Sequence, residues 1–131
     1  MSHLLDASSI FEALLRRKLR LLSGNFTISL ARYELGNVIW KRGASAGDIN
    51  PERHAKLLAL VSEGLKLMRV IDTGGQEGGV LEIAEEPKIT FYDAAYVHAA
   101  KAQGVPLVTE DRALREKAKK AVQAFSLEEI E

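Results

Sequence analysis

The stretch from Thr90 to Arg112 constrains the fold more than any other part of this 131-residue chain. Thr90 and Asp93 form a helix-start signal, in which a hydroxyl caps the helix and an acid occupies its third position. An alanine-rich run follows, and its small side chains allow a helix to lie close against a neighbouring layer. Gly104 predicts the end of that helix, and the apolar segment Val105–Val108 predicts a strand immediately afterwards. This order is typical of a helix that returns the chain to a parallel sheet.

Two acids of this stretch are expected to meet in space. A helix that feeds back into a parallel sheet runs antiparallel to the strands, so its N-terminus lies at the rim where the strands end. Asp93 is in the first turn of that helix, and Asp111 follows the carboxyl end of the next strand. The helix is about 20 Å long at 1.5 Å per residue, and the return strand covers much of that distance. We therefore expect Asp93 and Asp111 to lie on the same rim.

Strands and helices alternate along the rest of the chain. The predicted strands are residues 2–5, 26–29, 67–71, 105–108 and 122–125. The first predicted helix runs from Asp6 to about Leu22, the second from 30 to 42 with Gly43 as the stop, and the third starts at Pro51. The last three predicted helices are 80–86, Thr90 to Gly104 and 112–120. Residues 45–50 are predicted to be a polar linker, 73–79 a flexible loop and 127–131 a frayed acidic tail. The alternation predicts a single α/β domain over residues 1–131, a three-layer α/β/α sandwich with a central parallel sheet.

Composition restricts the classes of function. Basic and acidic residues number 18 each, so a nucleic-acid partner would have to be held by local basic patches. Cysteine is absent, which excludes disulfides, thiolate metal sites and a cysteine nucleophile. No apolar run reaches transmembrane length and no signal peptide is evident, so we expect no membrane association and a cytoplasmic location.

Four acids are predicted at one rim of the sheet: Asp6 after the first strand, Glu34 early in the second helix, and Asp93 and Asp111. Each alone is explained as a helix cap, a first-turn acid or a solvated side chain. Together they would repel one another unless a cation neutralises them or protons are retained. All-oxygen ligands without histidine or cysteine suit Mg²⁺ or Mn²⁺, and this rim is where open parallel sheets bind ligands.

Four short motifs in this order resemble one family. Asp6-Ala7-Ser8 after the first strand, Glu34, Tyr92-Asp93-Ala94 and the segment from Val108 to Arg112 together resemble the PIN domain, particularly the VapC-type toxins of toxin–antitoxin pairs. The resemblance covers essentially the whole chain at a compatible length. It implies that the acids matching Asp6, Glu34, Asp93 and Asp111 hold one or two divalent ions used to cleave RNA.

The resemblance also implies roles and partners. Asp6 and Asp93 would be the principal ligands of Mg²⁺ or Mn²⁺, with Glu34 and Asp111 shaping the site or activating water for in-line attack on a phosphodiester. Ser8 and Thr109 match hydroxyl positions that orient the site, and Glu110 is interpreted as outward-facing or auxiliary. The implied function is a metal-dependent endoribonuclease, a toxin restrained by a separate antitoxin chain and expected to form a homodimer.

Two other functions compete with this one. A non-catalytic PIN-like module could bind RNA or protein while its acids serve only as caps. A receiver-type phosphoacceptor domain shares the alternating architecture, and Asp72 after the third strand fits its acceptor. That class also requires an acidic pair after the first strand and a lysine after the fifth, and neither is evident.

Several other features are interpreted structurally. The basic runs 16–20 and 117–120 are favoured as solvated helix faces over RNA contacts. His98 is expected to be a packed residue, not a ligand, and Trp40 to lie in the core or on a dimer surface. The glycine-rich segment 74–79 lacks both a P-loop and a dinucleotide fingerprint, which favours a mobile loop.

Overall fold

One parallel sheet of five strands organises the protein, whose computed structural model describes residues 1–47 and 50–131. The strand order is β3-β2-β1-β4-β5. The strands are β1 (Leu4–Leu5), β2 (Phe26–Ile28), β3 (Arg69–Ile71), β4 (Leu107–Val108) and β5 (Ala124–Phe125). The helices are α1 (Ala7–Leu15), α2 (Leu30–Ser45), α3 (Pro51–Lys66), α4 (Glu77–Glu85), α5 (Phe91–Gln103) and α6 (Arg112–Ala118), with short 3-10 turns at Leu19–Leu21 and Glu128–Ile130.

The central strand β1 sets the geometry of the sheet. Leu4 pairs in parallel with Phe26 on one side and with Leu107 on the other. Both leucines of β1 are fully buried, as expected for a parallel strand covered on its two faces. Because all pairings are parallel, the carboxyl ends of the strands meet at one rim. The predicted α/β/α architecture is confirmed.

Helix α5 packs on this sheet through its small residues. Its buried positions are Ala94, Ala95, Tyr96, Val97, Ala99 and Ala100. Thr90 caps its start by accepting a hydrogen bond from the Asp93 N–H at 3.0 Å. Gly104 ends it in the left-handed conformation, with φ 67°, where a side chain would be strained. Both predicted ends of this helix are confirmed.

The first helix is shorter than the sequence suggests. We expected it to reach about Leu22, but α1 ends at Leu15 and Arg17 adopts φ 56°. A left-handed residue breaks the helical path, and a separate 3-10 turn then carries Leu21 into the core. Leu14 is therefore buried from α1, and Leu21 and Leu22 are buried from the 3-10 turn and its end, whereas Leu15 and Leu19 are exposed. Helical spacing alone does not distinguish these two local structures.

Two glycine-based boundaries were wrong. Helix α2 continues through the buried Gly43 to Ser45, so Ser45 belongs to the helix and not to the predicted linker. Residues 48 and 49 of that linker lie outside the described residues. Helix α4 begins at Glu77, so Gly79 is helical and not part of a loop. A Cβ built on Gly79 would lie 2.6 Å from Nε2 of His98 in α5. This glycine permits a close helix contact.

The segment after β5 is also ordered. We expected a frayed tail over 127–131, but Leu127 is fully buried and the carboxylate of Glu131 forms ion pairs with Arg16 and Lys18. The apolar anchor and the two basic partners on the α1 side explain why the tail is docked. Within the described residues, no helix combines the length and the apolar character needed to cross a membrane.

Candidate active site

Asp6 lies at the carboxyl end of the central strand and is only 6% exposed. Its Oδ1 atom caps α1 by accepting the Ser9 N–H at 3.0 Å, and it also accepts the Ser8 hydroxyl at 2.7 Å. Burial raises the pKa of this carboxyl, and hydrogen bonds from Thr109, Ser8 and Ser9 partly oppose that rise. Several donors therefore fix the carboxylate while it stays costly to ionise.

The hydroxyls around Asp6 connect the ends of β1 and β4. Ser8 Oγ accepts the Glu110 N–H at 3.1 Å and lies 3.3 Å from Thr109 Oγ1. Thr109 Oγ1 in turn accepts the Asp111 N–H at 3.1 Å. The buried Ser9 hydroxyl lies 2.8 Å from the carbonyl oxygen of Val108. Ser8 and Thr109 thus lie where the resemblance implies, beside the first and last acids.

Asp111 and Glu110 are adjacent but are used differently. Asp111 Oδ1 accepts the Leu114 N–H at 3.1 Å and caps α6, and the residue is otherwise exposed at the rim. Glu110 Oε1 accepts the Leu127 N–H at 2.7 Å, so its carboxylate binds the C-terminal segment. The two neighbouring carboxylates therefore have separate environments.

The pKa of Asp93 is affected by the other three acids of the rim. Burial is the largest cause of its raised pKa, followed by the negative charges of Asp6 and Asp111 and, more weakly, Glu34. A hydrogen bond to Thr90 acts in the opposite direction. The four acids come from separate segments of the chain. The charges of the other three change the pKa of Asp93 because all four acids lie at the rim where the strands end.

Glu34 is held by a residue that the sequence did not single out. The hydroxyl of Tyr96, a side chain only 1% exposed, donates to Glu34 Oε1 at 2.6 Å. Burial, and then the Glu34 carboxylate, raise the pKa of this phenol, so it remains protonated and acts as a donor. The signal for Tyr96 was present as one large aromatic residue inside an alanine run, three positions after Asp93.

The charges of this cluster have no basic partners. Within residues 1–47 and 50–131, none of the carboxylates of Asp6, Glu34, Asp93 and Asp111 forms an ion pair with lysine, arginine or histidine. Carboxylate oxygens whose negative charge is not neutralised by basic side chains are the type of ligand that divalent cations such as Mg²⁺ prefer. In the same part of the chain, no group of three or more aspartate, glutamate, histidine or cysteine side chains is arranged so that it could hold a metal ion.

Other sequence features lie outside this rim cluster. Trp40 is 53% exposed, so the core alternative for it was wrong. His98 packs against Gly79, and its buried Nδ1 has no hydrogen-bond partner among the described residues, which confirms a packed residue. Arg16 and Lys18 of the first basic run lie beyond the end of α1 and form ion pairs with Glu131, so the prediction of a helix face for this run was wrong.

Comparison with known proteins identifies the relatives of this fold. The sequence profile of the PIN domain matches residues 2–120. The chain is 32% identical over 133 residues to Exonuclease VapC9 of Pyrobaculum aerophilum, covering 97% of this chain and 93% of that protein. It is also 34% identical over 91 residues to Ribonuclease VapC3 of the same organism, covering 70% and 69% respectively.

Two solved structures are similar in fold. The crystal structure of PAE2754 from Pyrobaculum aerophilum is similar with a TM-score of 0.83 and 29% identity, over 99% of this chain and 86% of that one. VapBC2 from Rickettsia felis, bound to a DNA fragment from its promoter, is similar in fold, with a TM-score of 0.68 and 16% identity over 96% and 98% of the two chains.

Proposed function

Because the chain belongs to the PIN domain family as a VapC-type member, we propose that it is a divalent-metal-dependent endoribonuclease and the toxin of a toxin–antitoxin pair. The observation that carries the proposal is the rim cluster, in which Ser8 and Thr109 connect the Asp6 carboxylate to the Asp111 backbone. The charges of Asp6, Asp111 and Glu34 there raise the pKa of Asp93. A bound Mg²⁺ or Mn²⁺ would neutralise these carboxylates, polarise a phosphodiester and activate water. The relatives named as nucleases support the same class of reaction.

The residues of this chain have separate tasks in the proposed hydrolysis. Asp6 and Asp93 would be the principal ligands of the ion, and the hydroxyl of Ser8 fixes the orientation of Asp6. Glu34 and Asp111 would complete the anionic rim. A water oxygen forms a bond to phosphorus and gives up a proton, the bond from phosphorus to one ribose oxygen breaks, and that oxygen takes up a proton and leaves as a hydroxyl.

Cleavage of labelled RNA tests this proposal. The protein is incubated with linear and circularised single-stranded RNA in Mg²⁺, Mn²⁺ or EDTA, alongside Asp6→Asn, Asp93→Asn and Asp72→Asn. Asp72 is an exposed acid whose side chain binds the Gly74 N–H, so its variant is the matched control. We expect both rim variants to lose activity by about 100-fold or more, and the control to retain it.

The form of the substrate separates endonuclease from exonuclease action. A cut circle supports the proposal, because a circle has no end from which an exonuclease can start. If the protein digests linear RNA but leaves the circle intact, the proposed endonuclease activity is wrong and the protein is an exonuclease. Cleavage that survives EDTA, or equal activity in the two rim variants and the parent, would remove the metal-dependent nuclease altogether.

The proposal includes partners and location. A cognate antitoxin chain would restrain the enzyme, and the protein would act as a homodimer in the cytoplasm. Light scattering of the purified protein, with and without a co-expressed antitoxin, measures the stoichiometry. A monomer that forms no complex with the co-expressed antitoxin would contradict this part of the proposal.

One observation favours a second candidate, a non-catalytic PIN-like module. Asp6 and Asp111 already serve as helix caps, at 3.0 and 3.1 Å from the N–H groups of Ser9 and Leu114. Acids with that role need no cation. Such a module would bind RNA or protein without cleaving it, and Mn²⁺ would not raise its melting temperature.

A further inference from the structure

Tyr96 connects two of the segments that carry the rim acids. Its hydroxyl donates to Glu34 Oε1 at 2.6 Å. Tyr96 itself lies three positions after Asp93 on α5, and residues at that spacing share one face of a helix. One buried oxygen therefore joins the second turn of α2 to the first turns of α5.

This contact restricts a side chain that would otherwise be free. Glutamate has three rotatable bonds, and Glu34 has no basic partner within the described residues. The phenol donates to one carboxylate oxygen and leaves the other available, while the ring is fixed by burial. A donor that binds one oxygen of a metal-ligating carboxylate orients the ligand and reduces the entropy lost when an ion binds.

We propose that Tyr96 is a positioning residue, which holds the Glu34 carboxylate ready for a divalent cation and ties it to α5, the helix that carries Asp93. The inference rests on the proposed function, since it assumes that the rim binds such an ion. It assigns a role to a residue that the acid pattern alone does not reveal. The role is exerted through Glu34, so Tyr96 does not itself touch the ion or the RNA.

Binding of Mn²⁺, measured by isothermal titration and by the electron paramagnetic resonance signal of free Mn²⁺, tests the inference without any turnover. Tyr96→Phe keeps the ring and removes only the hydroxyl. We expect its Mn²⁺ affinity to fall by about 10-fold or more, the usual loss when a partner of a metal ligand is removed. The melting temperature without metal shows whether the variant is folded.

Two further variants separate positioning from a general structural effect. Thr27→Val removes another fully buried hydroxyl, one that donates to the Leu5 carbonyl at 2.7 Å and contacts no carboxylate. We expect this control to bind Mn²⁺ with the affinity of the parent. In the Glu34→Gln background, Tyr96→Phe should cause no additional loss, because its effect passes through the carboxylate.

The outcomes distinguish this inference from the proposed function. If the parent binds Mn²⁺ and cleaves RNA but Tyr96→Phe binds the ion as tightly or more tightly, the positioning role is overturned and the nuclease remains. A full loss that persists in the Glu34→Gln background, or an equal loss in Thr27→Val, also overturns it. If the parent binds no Mn²⁺, the proposed function fails and takes the inference with it.

Discussion

The carboxylate of Glu110 accepts a hydrogen bond from the backbone N–H of Leu127 at 2.7 Å, between residues that are 17 positions apart. This contact holds the C-terminal segment against the loop that carries Asp111. It also explains why the tail is docked although the sequence is acidic and polar there.

Glu110→Ala should therefore destabilise the protein by about 1–2 kcal/mol, because it leaves the Leu127 N–H without its charged acceptor. Glu110→Gln keeps an acceptor oxygen and should lose less. Urea denaturation measures both, with Glu116→Ala as the control, since Glu116 forms only an exposed pair with Lys119. Equal stability of Glu110→Ala and the control would show that the contact contributes nothing.

Asp93→Asn should have opposite effects with and without metal. In the metal-free protein it removes a partly buried charge that Asp6, Asp111 and Glu34 repel, so the melting temperature should rise by about 2–4 °C, which is roughly 1 kcal/mol for a domain of this size. The same variant should lose the stabilisation that Mn²⁺ gives the parent.

Calorimetry with EDTA and with Mn²⁺ measures both effects of Asp93→Asn. Glu63→Gln on the exposed face of α3 is the control, because Glu63 pairs only with Lys66. A metal-free melting temperature below that of the parent would contradict repulsion at the rim.

Gly79→Ala should reveal how closely α4 and α5 pack. The new Cβ would lie 2.6 Å from His98 Nε2, and relieving such a clash costs about 1–3 kcal/mol, more than the roughly 1 kcal/mol gained in helix propensity. Gly78→Ala meets nothing within 4 Å and should stabilise the protein.

A double variant tests the cause of the Gly79→Ala loss. In a His98→Ala background the clash is absent, so Gly79→Ala should become neutral or stabilising. Chemical denaturation of the parent, the two single variants and the double variant completes the double-mutant cycle. If the loss is the same with and without the imidazole, another contact is responsible.

His3 gives the fold a pH dependence away from the rim. Burial, and then the N-terminal ammonium, lower the pKa of this histidine, whose Nδ1 is buried without a partner. The unfolded chain therefore binds more protons just below pH 6.5, so stability should rise as the pH increases through that interval. The His3→Gln variant should lose this slope, measured as the free energy of unfolding at pH 5, 6 and 7. An identical slope in both proteins would exclude His3 as its source.

The sequence predicts those parts of the fold that are encoded locally. Thr90 and Gly104 delimit α5 because a hydroxyl cap and a left-handed glycine act on their own helix. Asp6 and Asp111 were expected at one rim because each follows a strand of a parallel sheet. These inferences need only the handedness and direction of neighbouring elements.

The errors concern residues whose role depends on distant partners. Gly79 resembles a loop glycine, and only the imidazole of His98 shows that it is a site of close helix approach. Tyr96 resembles a core aromatic, and its partner Glu34 is 62 positions away. A pattern of residue types along the chain does not contain such a pairing, since it arises from how α2 and α5 are placed on the sheet.

The order of the strands has a consequence for synthesis of the protein. Asp6 is synthesised well before β4, the strand with which β1 pairs. Until β4 is made, Leu5 lacks its neighbour Val108 and the nascent polypeptide has no complete acidic rim. A polypeptide that stops before β4 also lacks Asp111, so it cannot bring the four carboxylates together.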